Sequence, residues 1–317
     1  MNFRTEISLA KPDFGIKHSD KIMSFGSCFS ENISEKLIQS GFCVDANPFG
    51  VLFNPASISK NIRKLVESTP FSEDDICENK GVFFSFSHHS RFSGRSREET
   101  LEKINLQWEA SRNFLRQAGI LIVTFGTSYV YSLKSNGEIV ANCHKLPASN
   151  FTRKRLTVEE IYDDWAELVP ILKSLNVKKI IFTVSPVRHL SDGFHENQVS
   201  KAVLLLAIEA LAELLPDAVY FPAYEILLDD LRDYRFYADD LLHPSTEAVN
   251  YVWEKFSETF FDAETADLAK EFENLNRALN HRPFNPDAEE YRRFMEKNEQ
   301  KRLFLSEKVK QISARNV

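Results

Sequence analysis

Between Ile22 and Phe261 the chain alternates short apolar runs with longer amphipathic stretches. The runs Ile22–Phe25, Phe42–Asp45, Ile120–Phe125, Lys179–Val184 and Ala218–Phe221 predict strands. The stretches Glu31–Gln39, Ala56–Glu67, Arg97–Gln117, Thr157–Leu175, Gln198–Leu215 and Thr246–Phe260 predict helices. The fourth helix opens with Thr157-x-x-Glu160, a capping box that satisfies two backbone N–H groups of the first turn. Strands that alternate with helices imply a mostly parallel sheet covered by helices. Tyr129–Leu133 and Glu138–Asn142 flank Ser135-Asn136-Gly137, whose Asn-Gly step signals a hairpin. It follows directly on a core strand, so it is expected to project over the carboxyl edge of the sheet.

Two regions break this rhythm. Phe71 to Ser96 is polar and irregular and contains Phe83-Phe84-Ser85-Phe86-Ser87-His88-His89. It reads either as a wall or lid of a site or as an ordinary surface excursion, with His88 and His89 expected in a solvated loop. From Asp262 to Val317 charges of both signs dominate, and Arg282-Pro283-Phe284-Asn285-Pro286 interrupts the pattern. Two helices, about Glu264–Leu279 and Asp287–Ser313, fit this stretch. The expected organisation is therefore an α/β domain over residues 1–261 and a helical appendage over 262–317, packed on the domain or used in self-association.

Composition narrows the classes. A chain of 317 residues buries a sizeable core, and many of its 26 phenylalanines fall in predicted strands, where a core use is the simplest reading. The net charge of -7 argues against nonspecific nucleic-acid binding. The opening Met1-Asn2-Phe3-Arg4-Thr5-Glu6 has no signal-peptide pattern, and no apolar run has the length of a membrane span. Cys28, Cys43, Cys77 and Cys143 lack paired spacing, which suits free thiols in a cytoplasmic protein.

Chemistry concentrates at a few strand ends. Ser27, in Gly26-Ser27-Cys28-Phe29, stands between the first strand and a helix. On such a turn a hydroxyl lies at the carboxyl edge of the sheet, beside backbone N–H groups able to steady an oxyanion. Its plain alternative is a helix N-cap. Cys28 is a possible thiol nucleophile, or a small residue buried under the turn. Late in the chain, Asp240-Leu241-Leu242-His243-Pro244 supplies a base and an orienting carboxylate three residues apart. Spacing alone does not separate Asp240 from Asp239 as the orienter, and the pair has a bland alternative as a loop brace. Ser245 reads as the cap of the following helix.

Gly50, in Asn47-Pro48-Phe49-Gly50, and Gly126-Thr127-Ser128 lie after strands and are candidate oxyanion donors, or turn and strand-ending residues. His144 and His189 end the hairpin and the fourth strand, at the edge where ligands bind open α/β sheets. Cys143, His144 and His189 match no metal-ligand spacing. Neither a metal nor an organic cofactor is required.

Taken in order, Gly26-Ser27-Cys28-Phe29, Asn47-Pro48-Phe49-Gly50, Gly126-Thr127-Ser128, Asn142-Cys143-His144-Lys145, Ser185-Pro186-Val187-Arg188-His189 and Asp240-x-x-His243-Pro244 resemble the bacterial GSCFA family of the SGNH (GDSL-like) hydrolases. The resemblance covers about residues 20–260. It implies a flavodoxin-like three-layer α/β/α sandwich with a parallel sheet. It also implies Ser27 as nucleophile, Asp240 and His243 as its partners and Gly50 as an oxyanion glycine. Two positions depart from the pattern: Ser30 replaces the final alanine of the name-giving motif, and Ser128 stands where an SGNH asparagine is expected. Asn142 is a possible substitute donor, and loss of one such donor costs about 10²–10³ in rate. The expected activity is that of a serine esterase or O-acyltransferase acting on acylated carbohydrates or small metabolites. The alternative is a binding protein on a catalytically degenerate hydrolase fold.

Overall fold

Alternate side chains along the central strands are apolar on both sides, so the strands must be covered on both faces. The computed structural model describes residues 5–280 and 289–315. The chain begins with β1 (Lys21–Gly26), α1 (Cys28–Gln39), β2 (Cys43–Ala46) and α2 (Pro55–Val66). A small excursion carries β3 (Cys77–Asn79) and β4 (Val82–Phe84) before α3 (Arg97–Leu115) and β5 (Ile120–Phe125). Then come β6 (Tyr129–Leu133), β7 (Ile139–Val140), β8 (Phe151–Arg155), α4 (Val158–Leu175), β9 (Lys179–Val184) and α5 (Phe194–Leu214). The remaining elements are β10 (Ala218–Phe221), the single turn α6 (Ala223–Glu225), α7 (Thr246–Phe260), α8 (Ala263–Leu279) and α9 (Glu289–Arg315).

The main sheet has the order β10-β9-β5-β1-β2 and every pairing in it is parallel. The chain builds β1 and β2 outward in one direction and β5, β9 and β10 in the other. The direction therefore switches between β1 and β5, the topology at whose carboxyl ends open α/β sheets bind their ligands. Met23, Phe25, Leu121, Val123, Phe125, Phe182 and Val184 face α2, α3, α4 and α5. Ile22, Ile120, Ile122, Ile181 and Phe221 face α1 and α7. The result is a flavodoxin-like three-layer α/β/α sandwich.

The five predicted core strands and six predicted helices are all present. Helix α1 begins earlier than periodicity indicates, because Ser27 caps it from outside the apolar pattern. The hairpin of β6 and β7 gains a third strand, β8, which the sequence pattern does not predict. Phe151-Thr152-Arg153-Lys154-Arg155 buries only its first side chain, so it carries no strand-like alternation. The irregular segment before α3 contains the β3–β4 hairpin, whose turn residues Lys80 (φ 52°) and Gly81 (φ 78°) both have positive φ.

One expectation in that segment is corrected. His88 is not solvated; it is 1% exposed, packed among Phe49, Phe71 and Phe92. Backbone turns, including the His88 N–H to Ser85 carbonyl bond, fold the aromatic cluster inward and carry the imidazole with it.

Helix α8 lies against the end of α1. Gly41 is required there, since a Cβ would stand 2.4 Å from the Phe272 ring. Glu273 accepts hydrogen bonds from Ser40 Oγ and Trp253 Nε1, both at 2.9 Å. Leu268, Leu275 and Leu305 join α8 to α9. The expected break at Arg282–Pro286 and the start of the last helix at Asp287 lie outside the described residues. Among the described residues, no helix is long and apolar enough to cross a membrane.

Burial, and secondarily His144, pushes His88 down to about 3. The unfolded chain therefore binds a proton at His88 that the folded chain refuses. Its contribution to stability is complete above an ordinary histidine pKa and drains away as pH falls toward 3. His88→Leu is expected to reduce the slope of unfolding free energy against pH, between about pH 4 and 6, by roughly 1.4 kcal/mol per pH unit. Urea unfolding across that range checks it, and an unchanged slope refutes it.

Candidate active site

The tip of β1 is held against its neighbour more closely than a side chain allows. A Cβ on Gly26 would meet the Thr124 Cβ and carbonyl oxygen at 2.6 Å each. The Gly26 amide donates to Asn47 Oδ1 at 2.8 Å, and its carbonyl accepts from the Leu52 amide at 2.9 Å. Ser27 follows as the N-cap of α1, its Oγ accepting from the Phe29 amide at 3.3 Å. The same Oγ donates to Ser185 Oγ at 2.9 Å, just past the end of β9. Both hydroxyls are buried. Burial, and then the Glu31 charge, raises the pKa of the neighbouring Cys28, so its thiol keeps its proton and is a poor nucleophile.

The carboxylate and imidazole sit on a loop closed by the Tyr237–Pro244 bridge and the Ala238 amide on the His243 carbonyl (2.8 Å). Asp240 Oδ1 accepts from the amides of His243 (3.0 Å) and Leu242 (2.9 Å), while Oδ2 contacts His243 Nδ1 at 2.6 Å. The His243 amide, then the Leu242 amide and the ring hold Asp240 down at about 2. Asp240, and not Asp239, is thus the partner of the imidazole. Leu241 takes a φ of 58°, which lets the loop fold back over the carboxylate. With Nδ1 engaged, Nε2 has no partner among the described residues.

These two places meet at one segment. Ser27 reaches Ser185, and the Arg188 amide donates to the Leu242 carbonyl at 3.2 Å. His189, one residue on, feels the charge of His243. Ser27 and His243 are not hydrogen-bonded to each other; the serine hydroxyl is directed at Ser185 instead.

The other anticipated residues have mixed placements. Gly50 (φ 82°) is a glycine of necessity, because a Cβ would come within 2.2 Å of His89 Cβ, and its amide is spent on the Asn47 carbonyl (2.7 Å). Ser128 is buried and turned toward α5, its amide and hydroxyl both donating to Ser200 Oγ (2.8 and 3.1 Å). Asn142 Oδ1 accepts from the His144 amide (2.8 Å). The His144 ring stacks on Phe84 and bonds the Ser85 carbonyl at 2.9 Å, tying the hairpin to the segment before α3. His189 has its Nε2 buried without a partner among the described residues and its ring edge-on to Phe53. Burial, then the Lys201 and His243 charges, press it down to about 4 against the pull of the Gly126 carbonyl. Among the described residues no group of three His, Cys, Asp or Glu side chains is placed to hold a metal ion.

Three further residues belong to the site without being singled out by sequence reasoning. Ser185 stands within one of the motifs, and its position at a strand end is the signal that marks it. Asn47 is fully buried at a φ of 46° beside the Gly26–Ser27 turn, its Nδ2 unpartnered among the described residues. Lys201 sits on α5, where nothing in the helical pattern separates it from a surface lysine.

Comparison with known proteins places this geometry in a family. No match is found among curated proteins. Among solved structures, the chain is similar to a carbohydrate esterase family 3 protein from Talaromyces cellulolyticus, at 10% identity and a TM-score of 0.32, over 80% of this chain and 99% of that one. The profile described as GSCFA domain protein, C-terminal domain, matches residues 272–316. The GSCFA family profile matches residues 21–256, from the start of β1 into α7, and the chain accordingly belongs to the GSCFA family.

Proposed function

We propose that the protein is a serine esterase or O-acyltransferase of the SGNH kind. The observation that carries this reading is the Asp240–His243 pair. It is oriented through Nδ1 with Nε2 unengaged among the described residues, and its loop is tied to the segment that receives the Ser27 hydroxyl. In the reaction the Ser27 hydroxyl turns from Ser185 to His243. Its Oγ bonds to the ester carbonyl carbon while its proton passes to Nε2. The imidazolium, steadied by Asp240, returns that proton to the departing alkoxide, which leaves an acyl-serine. Water or an acceptor hydroxyl then gives a proton to His243 and takes the acyl group, and His243 passes that proton to the departing Ser27 Oγ, completing hydrolysis or transfer.

For the oxyanion, the amides at the start of α1 and Asn47 Nδ2 are the fitting donors. A buried amide with no partner costs about 1–3 kcal/mol, a cost recovered when an anion occupies the site. Gly50 and Ser128 support this arrangement from behind, their own donors being engaged. By the family resemblance, acylated carbohydrates or small metabolites are the substrates. A second reading, a binding protein on the same fold, draws on the burial of Ser27 and its bond to Ser185.

A fluorophosphonate probe separates the two. Stoichiometric labelling at Ser27 is expected, abolished in Ser27→Ala and retained in Cys28→Ala. An unlabelled, folded protein that also leaves short-chain nitrophenyl esters intact belongs to the binding reading. Asp240→Asn, with the fold verified by circular dichroism, is expected to slow labelling about 10²–10⁴-fold. Asn47→Ala is expected to lower the rate constant for ester hydrolysis about 10²–10³-fold with little change in KM. An unaltered rate constant removes Asn47 from the oxyanion site.

A further inference from the structure

Lys201 is 1% exposed in the middle of α5. Its Nζ donates to the carbonyls of Gly126 and Ser185, both at 2.6 Å. Those residues stand immediately beyond β5 and β9, two neighbouring strands of the sheet. No carboxylate among the described residues pairs with this ammonium. A charge removed from water without a counter-ion is among the most expensive groups to bury, and here burial pushes the amine down to about 7. Joining two carbonyls requires only neutral donors, so the charge itself calls for a role.

Its neighbours indicate that role. Ser185 is the residue whose hydroxyl receives that of Ser27. Ser200, next to Lys201 on the helix, holds the Ser128 turn. The His189 amide donates to Asn197 Oδ1 at 3.0 Å, one turn before Lys201 on α5, so the same helix face holds His189 and the ammonium. The charged groups facing the ring are Lys201 and, from the loop before α7, His243, opposed by the Gly126 carbonyl at the tip of β5. The Tyr224 ring lies 5.7 Å from Lys201 Nζ, its hydroxyl turned to Gln198 Oε1.

We propose that Lys201 is a positioning residue with two roles. It clamps the tips of β5 and β9 so that Ser185 meets Ser27, and its charge excludes a second positive charge from the His189 ring. The site then holds one imidazole free to take the serine proton, His243, beside a neutral one that serves as a hydrogen-bonding group. The clamp rests on the Ser27 reading given above; the coupling between Lys201 and His189 does not.

The test uses the full chain with ¹⁵N-labelled histidine. In the wild type the His189 ring is expected to stay neutral down to about pH 5. Its signals are also expected to shift near neutral pH as Lys201 loses its proton, in the wild type and in His243→Gln alike, which separates the ammonium from the neighbouring imidazole. In Lys201→Met and Lys201→Gln the His189 midpoint is expected to rise by about one pH unit or more. Gln restores a donor without the charge, so it separates the clamp from the electrostatic role. Fluorophosphonate labelling of Ser27 is expected to slow at least about tenfold in Lys201→Met, with partial recovery in Lys201→Gln. A His189 midpoint unmoved in both variants, or no shift near neutrality in the wild type, overturns the electrostatic role. Unchanged labelling overturns the clamp. A wild type that takes no label defeats the esterase reading while the titration still decides the coupling.

Discussion

Everything at the carboxyl edge depends on how closely the tip of β1 approaches β5. Gly26 lies where even a methyl group would overlap Thr124, and Ser27 follows it directly as the N-cap of α1 at the strand end. Asn47 reinforces the approach from the other side by accepting the Gly26 amide. The chain reverses its direction of sheet building at this point, the topology at which open α/β sheets bind ligands.

Polar groups at this edge of the sheet are of two kinds, and the distinction is physical. Gly50, Ser128, Asn142 and His144 have partners within the protein, and they fix loops. Among the described residues, Asn47 Nδ2 and His189 Nε2 are buried without partners, while Lys201 is buried without a counter-charge. Folding alone penalises all three. Such penalties persist where a bound molecule or a developing charge compensates them.

Much of the architecture is legible because it follows from periodicity. The strands Ile120–Phe125 and Lys179–Val184 are apolar runs of strand length, and the helix beginning after Thr157 announces itself by its capping box. Elements without such signals stay hidden. β8 pairs through its backbone and exposes Thr152 to Arg155, so its side chains say nothing of a strand. His88 is a polar letter in a loop, and only the closing of Phe49, Phe71 and Phe92 around it makes it a core residue.

The candidate site divides in the same manner. The Asp240–His243 contact is local, since a three-residue spacing and one residue of positive φ bring carboxylate and imidazole together. Ser27 likewise declares itself by standing between a strand and a helix. The chain by itself therefore determined the alternation of elements, the parallel sheet and the two chemically suggestive turns, all of which are encoded within a few neighbouring residues. Tertiary structure alone decided that Ser27 pairs with Ser185, that Asn47 is left with a spare donor and that Lys201 lies beneath the strand tips. Each of these joins residues distant along the chain, and their partners are set by how the strands stack side by side.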